Sequence, residues 1–198
     1  MLWQAGFDLV AGVDEVGRGS WAGPIVAAAV ILPAHGVLTG SSLAGLADSK
    51  QLLPVDRLRL FSQIVSVAMD IGIGWCSHHV IDEVGIGVAN RRAMLRAVKH
   101  LRTAPDALLI DHVRLPEALL TQVSITKGDS LSLSIAAASV IAKVTRDRWM
   151  TTCSKHYPEF GFDRHKGYGT QLHREAIDRA GLSPIHRRSF APCRTEWL

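Results

Sequence analysis

The chain has 198 residues, 47% of them hydrophobic, which excludes global disorder and fits one domain with room for a small extension. Its formal net charge of +4 is a mild excess that fits a nucleic-acid partner without requiring one. Three widely spaced cysteines, Cys76, Cys153 and Cys193, argue against a disulfide scaffold and for a reducing compartment.

The N-terminal segment has neither a basic start nor a signal-peptide cleavage pattern. The apolar run from Trp21 to Pro33 is too short to span a bilayer. From these two features we expect a soluble cytoplasmic protein.

The stretch from Val10 to Pro33 carries the clearest local pattern. An apolar run stops on Asp14 and Glu15, the turn Gly17–Gly19 follows, and a second apolar run ends at Pro33. Apolar runs bounded by turn residues predict strands that are buried on both faces. Neighbouring strand residues point to opposite faces, so the two carboxylates converge only if regular pairing ends between them or if one residue contributes its backbone carbonyl.

This hairpin tip combines acids with an arginine that lies between two glycines. Carboxylates are ligands of hard cations, and glycines let a backbone approach a bound group closely. Acids for a metal beside Arg18 for a phosphate indicate phosphodiester chemistry. The alternative is a charged hairpin tip in solvent.

Helices and strands alternate after the hairpin, and each later strand is followed by a helix. This order predicts an α/β fold with a mixed sheet flanked by helices. The predicted elements are a helix from Pro54 to about Met69, a strand from Ile71 to Cys76, helices from His79 to Val84 and from Ala89 to Leu101, strands from Ala107 to Ile110 and from Val123 to Ile125, one long helix from Ser130 to Met150 or His156, and a helix from Gln171 to Ala180.

Two further acids lie in settings like that of the first pair. Asp111 ends a short apolar strand, and Asp129 opens the predicted long helix. If the strands are neighbours, the carboxylates converge on one edge of the sheet, where they cannot all stay ionised without cations. Two divalent ions there could activate a water and stabilise the leaving oxygen of a phosphodiester. The alternatives are that Asp111 merely ends a strand and that Asp129 merely caps a helix.

Other polar residues allow two interpretations each. Lys143, Arg146 and Arg148 form either a nucleic-acid contact or an ordinary solvated helix face. Tyr168, in a loop of glycines and charges, can stack on a sugar or base or serve as a surface anchor. A weak zinc hypothesis, without any CxxC pair, rests on Cys76, His78, His79, Cys153 and His156.

Taken together, the motifs resemble bacterial ribonuclease HII, the type 2 ribonucleases H, over about residues 7 to 193. They are GVDEVGRGSWAGPIVAAAVIL, LADSKQL, LLIDH, KGDSLSLSIAAASVIAKVTRDRWM, HKGYGTQLH and HRRSF. The resemblance implies a ribonuclease H-like fold with a five-stranded mixed sheet and a helical C-terminal extension from about residue 157 to 198, within a single catalytic domain. It also implies an endoribonuclease that uses two Mg²⁺ or Mn²⁺ ions.

The resemblance also implies roles for individual residues. The implied substrates are RNA–DNA hybrids and duplex DNA with embedded ribonucleotides, cut to leave 3′-hydroxyl and 5′-phosphate ends. By motif, the family's four catalytic carboxylates are matched by Asp14, Glu15, Asp111 and Asp129, and the first three of these match its metal ligands. The loop that reads the 2′-hydroxyl is matched by Gly17, Arg18 and Gly19, and Tyr168 matches the residue that stacks on the next deoxyribose. Motifs near the substrate contain Lys50, Lys143 and Arg146, for which the resemblance implies phosphate contact.

The chain departs from the family pattern at two positions. His112 stands where a glycine is usual, and Gly85 stands where many relatives carry asparagine. The alternatives are another metal-dependent nuclease of the same fold and a non-catalytic nucleic-acid-binding module, whose mark would be loss of an acid. All four acids are present. We expect a monomer.

Overall fold

A five-stranded mixed sheet forms the centre of the protein. The computed structural model describes residues 2–33, 43, 45–46 and 53–194. The strands are β1 (Val10–Val16), β2 (Ile25–Ile31), β3 (Asp70–Cys76), β4 (Ala107–Asp111) and β5 (Thr121–Ile125). Their order is β3-β2-β1-β4-β5, with β2 antiparallel to β1 and β3, and β4 parallel to β1 and β5. The prediction of a mixed sheet is confirmed.

Helices cover both faces of this sheet. They are α1 (Pro54–Val67), α2 (His78–Val84), α3 (Ile86–Lys99), α4 (Gly128–Leu131), α5 (Leu133–His156), α6 (Phe162–His165) and α7 (Gln171–Ala180). Residues of α2 and α3 pack on one face of the sheet, and residues of α1 and α5 pack on the other. Among the described residues, no helix is both long and apolar enough to cross a membrane.

Helix α5 packs directly on the central strand. Every residue of β2 is buried, and so are the first five residues of β1, as their apolar runs predict. At Gly12 of β1 the backbone of α5 comes so near that an added Cβ would collide with Ser134 and Ile135. Alanines on the buried face of α5 allow the same close approach, and Ala136 to Ala138 have no exposed surface. The small residues therefore set α5 tightly beside the acidic end of β1.

The predicted single helix from Ser130 is in fact two helices. Ser132 has extended backbone, with φ −134° and ψ 122°, and it separates α4 from α5. Its hydroxyl accepts a hydrogen bond from the Ile135 N–H at 3.5 Å, so Ser132 is the cap of the long helix. Asp129 lies instead in the first turn of α4. The interpretation of Asp129 as a cap of the long helix is therefore wrong.

The C-terminal segment packs on the loop between β1 and β2. The Trp21 N–H donates to the Gly167 carbonyl at 2.8 Å, and Ala22 forms a β-bridge with His186. A separate apolar cluster fills the space between these segments and includes Ala22, Met150, Phe160, Phe162, Ala176 and Ile185. The loop is thus enclosed by the C-terminal segment on the side that faces the protein.

Both departures from the family pattern lie at positive φ. His112 directly follows Asp111 and has φ 60°, a left-handed conformation in which glycine avoids the steric cost of a Cβ. The His112 N–H donates to the Ile125 carbonyl at 3.1 Å, so this turn joins the end of β4 to β5. Gly85, between α2 and α3, has φ 77°, and asparagine also tolerates positive φ. The backbone at both positions therefore suits glycine, and at position 85 it also suits asparagine.

The left-handed backbone at His112 predicts that glycine is more stable than alanine at this position. His112→Gly should unfold at higher urea concentration than His112→Ala, with an advantage of about 1 kcal/mol, because both variants lose the exposed imidazole but only alanine keeps the left-handed strain. Urea unfolding followed by circular dichroism measures the difference. Equal stability of the two variants would show that the turn is unstrained.

Candidate active site

The parallel pairing of β1 and β4 brings two of the acids together. The register pairs Val13 with Ile110, so Asp14 and Asp111 come next on their strands at the same edge of the sheet. Their carboxylates are near enough to interact electrostatically. The structure thus places Asp14 beside Asp111 at the carboxyl ends of two central strands, as expected for neighbouring strands.

Asp14 is the most deeply buried of these acids, with 4% of its surface exposed. Its carboxylate accepts the N–H of Glu15 at 2.7 Å and a hydrogen bond from the side chain of Ser139 on α5. Burial, and then repulsion by Glu15 and Asp111, nevertheless raise the pKa of Asp14 to about 8. The two hydrogen bonds do not compensate for the burial of a negative charge at this edge.

A hydrogen bond links the Asp111 side chain to the residue that precedes the fourth acid. Asp111 Oδ1 accepts the N–H of Gly128 at 2.8 Å, which joins the end of β4 to the first turn of α4. The next residue is Asp129, which is 5% exposed. The short helix α4, which the sequence did not predict as a separate element, therefore holds Asp129 at the same edge.

Glu15 reaches this edge without any break in the strand. Regular pairing of β1 with β2 continues past both acids to Val16, opposite Val26. The hypothesis that pairing ends between Asp14 and Glu15 is therefore wrong, because the antiparallel ladder to β2 outlasts the parallel ladder to β4. A contribution by the backbone carbonyl of one of these two residues stays a prediction.

The donors at this edge fit a hard divalent cation in their chemistry. All are carboxylate oxygens, and the raised pKa of Asp14 marks a place where negative charge lacks compensation. Within the part of the chain that the structure describes, however, no three His, Cys, Asp or Glu side chains are grouped closely enough to hold a metal ion. The acids therefore lie at one edge of the sheet but do not form a complete set of metal ligands. Among the described residues, no group of ligands supports the zinc hypothesis either.

A cleft of about 240 Å³ opens beside the acids. Glu15, Ser139, Lys143 and Tyr168 are among the residues that line it. Lys143 Nζ lies 5.5 Å from the centre of the Tyr168 ring and 3.0 Å from an Asp147 carboxylate oxygen. Two residues predicted near the substrate, Lys143 and Tyr168, thus lie together next to the carboxylates.

Arg146 does not have the exposed position that the basic run suggested. None of its surface is exposed, and its guanidinium donates to three carbonyls, those of Ala22 at 3.0 Å, Pro24 at 2.9 Å and Lys166 at 2.8 Å. The prediction that Arg146 contacts a phosphate is therefore wrong for this structure. Its three acceptors lie in segments that only the fold brings together.

The basic HRRSF motif predicts that Arg187 attracts phosphates, but Arg187 is a second buried arginine. It donates to the Gly23 carbonyl at 2.9 Å and to the Arg18 carbonyl at 3.0 Å. Arg146 and Arg187 together bind carbonyls of the loop between β1 and β2, and of these the Arg18 carbonyl belongs to the Gly17–Gly19 turn. Arg18 and Gly19 are exposed on the outer side of this turn. The HRRSF motif could indicate that Arg187 has a role, but a local motif could not predict that its side chain is buried.

Gly17 meets Arg146 on the inner side of the turn. Its φ is 91°, and an added Cβ would collide with the guanidinium of Arg146. A larger residue at this position would therefore disturb the arginine behind the turn. Lys50, the remaining predicted substrate contact, lies outside the described residues.

Known proteins of one kind resemble this chain along almost its full length. Residues 11–193 match the family model described as Ribonuclease HII. A curated Ribonuclease HII from Dehalococcoides mccartyi is 50% identical over 194 residues, which are 98% of this chain and 91% of that protein. The crystal structure of ribonuclease H2 from Pyrococcus horikoshii OT3 is similar with a TM-score of 0.80 and 30% identity, over 93% of this chain and 95% of that one. A structure of Bst-RNase HIII in complex with Mn²⁺ is similar in fold, with a TM-score of 0.72, 21% identity and coverage of 93% of this chain and 68% of that one.

Removal of the buried guanidinium should destabilise the protein. Arg146→Met should lower the free energy of unfolding by about 3 kcal/mol or more, because three buried carbonyls lose their donor. Arg148→Met is the matched control, since Arg148 lies on the same helix, is exposed and contacts Phe61. It should cost less than about 1 kcal/mol. Thermal and urea unfolding of both variants measure this, and equal losses would contradict the structural role of Arg146.

The raised pKa of Asp14 predicts how stability depends on pH in the absence of metal. Between pH 4 and 8 the folded state holds a proton on Asp14 that the unfolded state has lost, so the free energy of unfolding should fall as the pH rises. The decline should reach at most about 5 kcal/mol. Asp14→Asn should remove most of this decline in the free energy of unfolding. Urea unfolding in EDTA at pH 5, 6.5 and 8 measures it for both proteins.

Asp163→Asn is the control for this measurement. The hydrogen bond from Ser154 lowers the pKa of Asp163, so its effect on stability is already complete above pH 5. The control should keep the decline between pH 5 and 8. A decline that persists unchanged in Asp14→Asn would contradict the assignment to Asp14.

Proposed function

The chain belongs to the ribonuclease HII family of metal-dependent endoribonucleases that act on RNA–DNA hybrids, and we propose that it also cuts on the 5′ side of single ribonucleotides embedded in duplex DNA. The products would carry 3′-hydroxyl and 5′-phosphate ends. The observation that carries the proposal is the pairing of β1 with β4, which sets Asp14 beside Asp111, while Glu15, the next residue after Asp14, lines the same cleft as Tyr168.

The proposed metal ligands are Asp14, Glu15 and Asp111, with Asp129 as the fourth catalytic carboxylate. Two Mg²⁺ or Mn²⁺ ions bound there would supply an activated water and charge stabilisation for the leaving oxygen. The carboxylate donors favour hard divalent cations such as Mg²⁺ and Mn²⁺. The similar structure with Mn²⁺ shares the fold and does not by itself identify the cation here.

The residues of the chain prepare this edge for cation binding. Asp14, with its pKa near 8, holds a proton at neutral pH and must release it when it becomes a ligand. The Gly128 N–H fixes one oxygen of Asp111 and leaves the other free to bind. Burial of Asp14 and Asp129 excludes water, which strengthens their interaction with a bound cation.

The proposed reader of the ribose is the turn of Gly17, Arg18 and Gly19. Arg146 and Arg187 bind carbonyls on the inner side of this loop, and Arg18 and Gly19 face outward. Backbone N–H and C=O groups that remain on the outer side can pair with a 2′-hydroxyl, the group that distinguishes RNA from DNA. A site built for this hydroxyl rejects a nucleotide that lacks it.

Tyr168 and the lysines complete the proposed substrate surface. The Tyr168 ring would pack on the deoxyribose that follows the ribonucleotide, so the two elements would read a 5′-ribose–deoxyribose-3′ step. Lys143 on the cleft and Lys50 would contact phosphates. We reassign Arg146 from phosphate contact to positioning of the loop, because its donors are already used by carbonyls.

We further propose that the chain acts as a cytoplasmic monomer with one catalytic domain, in which residues 157–198 contribute to substrate binding. The support is the packing of the C-terminal segment on the loop after β1 and the position of Tyr168 in the cleft. Neither a resolvase-like nuclease nor a non-catalytic module accounts for four retained acids together with this family match.

End-labelled duplexes with one ribonucleotide, four ribonucleotides or none test the proposed function. With Mg²⁺ the protein should cut the first two duplexes and leave the all-DNA duplex intact. Asp14→Asn and Asp111→Asn should each abolish cutting, because an uncharged ligand of the same shape cannot neutralise the cations. A gel beside an alkaline ladder locates the cut.

Control variants and the opposite outcomes make the test decisive. Asp163→Asn, whose carboxylate bonds to Ser154 away from the cleft, should cut at the wild-type rate. Failure to cut the duplex with one ribonucleotide, by protein that cuts a long hybrid, would refute the junction activity. Near wild-type cutting by either Asn variant would refute the assignment of the metal ligands.

A further inference from the structure

Three buried histidines lie behind the Tyr168 loop and take no part in the proposed chemistry. His165, His173 and His186 are 8%, 0% and 2% exposed. His165 stacks on His173 with ring centres 4.3 Å apart, and His173 Nε2 lies 2.9 Å from His186 Nε2. Polar rings are rarely buried this deeply unless their nitrogens have hydrogen-bond partners. The partners of each ring nitrogen show whether that nitrogen donates or accepts.

The hydrogen bonds determine where the protons are. A backbone N–H can only donate, and the Ser183 N–H lies 2.8 Å from His186 Nδ1, with the Ser183 hydroxyl 2.7 Å from the same atom. His186 Nδ1 is therefore the acceptor, and a neutral His186 carries its proton on Nε2. That proton is donated to His173 Nε2.

The next ring in this chain of hydrogen bonds is that of His173. Because His173 Nε2 accepts, a neutral His173 carries its proton on Nδ1, which lies 3.0 Å from the Tyr168 carbonyl. The chain of donation thus runs in one direction, from Ser183 through His186 and His173 to Tyr168. Burial lowers the pKa of both His173 and His186 to about 4, which keeps the rings neutral as this direction requires.

The last acceptor belongs to a residue of the proposed substrate surface. The Tyr168 carbonyl also accepts the Thr170 N–H at 2.9 Å, and the Tyr168 N–H donates to the His165 carbonyl at 2.9 Å. Both peptide groups that flank Tyr168 are therefore held, and the direction of its side chain over the cleft follows from them. The His173 ring also lies 5.4 Å from the ring of Trp21, in the loop after β1.

We propose that His173 and His186 are positioning residues for substrate selection: the one-way hydrogen-bond relay from Ser183 to the Tyr168 carbonyl holds the Tyr168 ring where it selects the ribose–deoxyribose step. This inference rests on the proposed function, since it explains how Tyr168 is set for that task. An apolar pair would fill the same space but would leave the Tyr168 carbonyl to Thr170 alone.

The kinetic test compares two substrates and two substitutions of one residue. His173→Phe keeps a ring but donates nothing, whereas His173→Asn keeps an N–H near the position of Nδ1. His173→Phe should lower kcat/KM on the duplex with one ribonucleotide about tenfold relative to a uniform RNA–DNA hybrid, the factor expected for one lost hydrogen bond. His173→Asn should recover part of this ratio. Equal losses on both substrates would mean a purely structural role and would overturn the proposal.

A double-mutant cycle with Tyr168 tests whether the effect passes through that residue. In a Tyr168→Ala background, His173→Phe should leave the ratio between the two substrates unchanged. A further drop in the ratio would overturn the proposal. If the wild-type protein does not cut the single-ribonucleotide duplex, the proposed function fails; if it does, and Tyr168→Ala alone lowers the ratio while His173→Phe does not, only the relay fails.

The wild-type protein provides a measurement that needs no substitution and no substrate. Long-range ¹H–¹⁵N correlation spectra at pH 7 distinguish the two neutral tautomers of histidine. The relay requires His186 protonated on Nε2 and His173 protonated on Nδ1. Any other tautomer, or a charged ring, would overturn the proposal even if the variants failed to fold.

Discussion

The buried guanidinium of Arg146 is the contact on which the arrangement of the site depends. Its donors reach carbonyls of Ala22, Pro24 and Lys166, so one side chain joins helix α5, the loop after β1 and the loop that leads to Tyr168. Buried carbonyls without donors are costly, and three of them depend on this group. Gly17 leaves the space that the guanidinium occupies. The acids, the turn of Gly17, Arg18 and Gly19, and Tyr168 are therefore positioned relative to the same helix.

Negative charge at the edge of the sheet is the second constraint. Asp14 lies against α5 because Gly12 and the alanines of α5 allow a close approach, and this burial raises its pKa to about 8. The same feature that destabilises the protein without metal would favour cation binding, because a divalent ion removes the repulsion among the acids. The left-handed backbone at His112 follows directly after Asp111, a further sign that local strain is tolerated where the fold must aim a carboxylate.

The buried arginines and His173 hold the backbone of two loops in the same way, by hydrogen bonds from their side chains to backbone carbonyls. Loops that recognise a substrate need rigid backbone, yet their outer polar groups must stay available. Arg146 and Arg187 donate to carbonyls of the loop between β1 and β2, and His173, which accepts from His186, donates to the carbonyl of Tyr168. Side-chain donors from α5 and from the C-terminal segment thus hold both loops from behind, and those of the C-terminal segment lie in the motifs HKGYGTQLH and HRRSF.

The sequence by itself determined the mixed sheet and most helix and strand bounds, and it singled out the four acids as candidates, because apolar periodicity and short motifs are local properties. It could not show that α4 and α5 are separate, since the break depends on the extended backbone of Ser132. Nor could it show that Arg146 is buried rather than solvated, or that His173 and His186 share a hydrogen bond. Arg146 and its acceptor Pro24 are 122 positions apart, and whether a charged side chain is exposed depends on distant segments that only the tertiary structure brings to it.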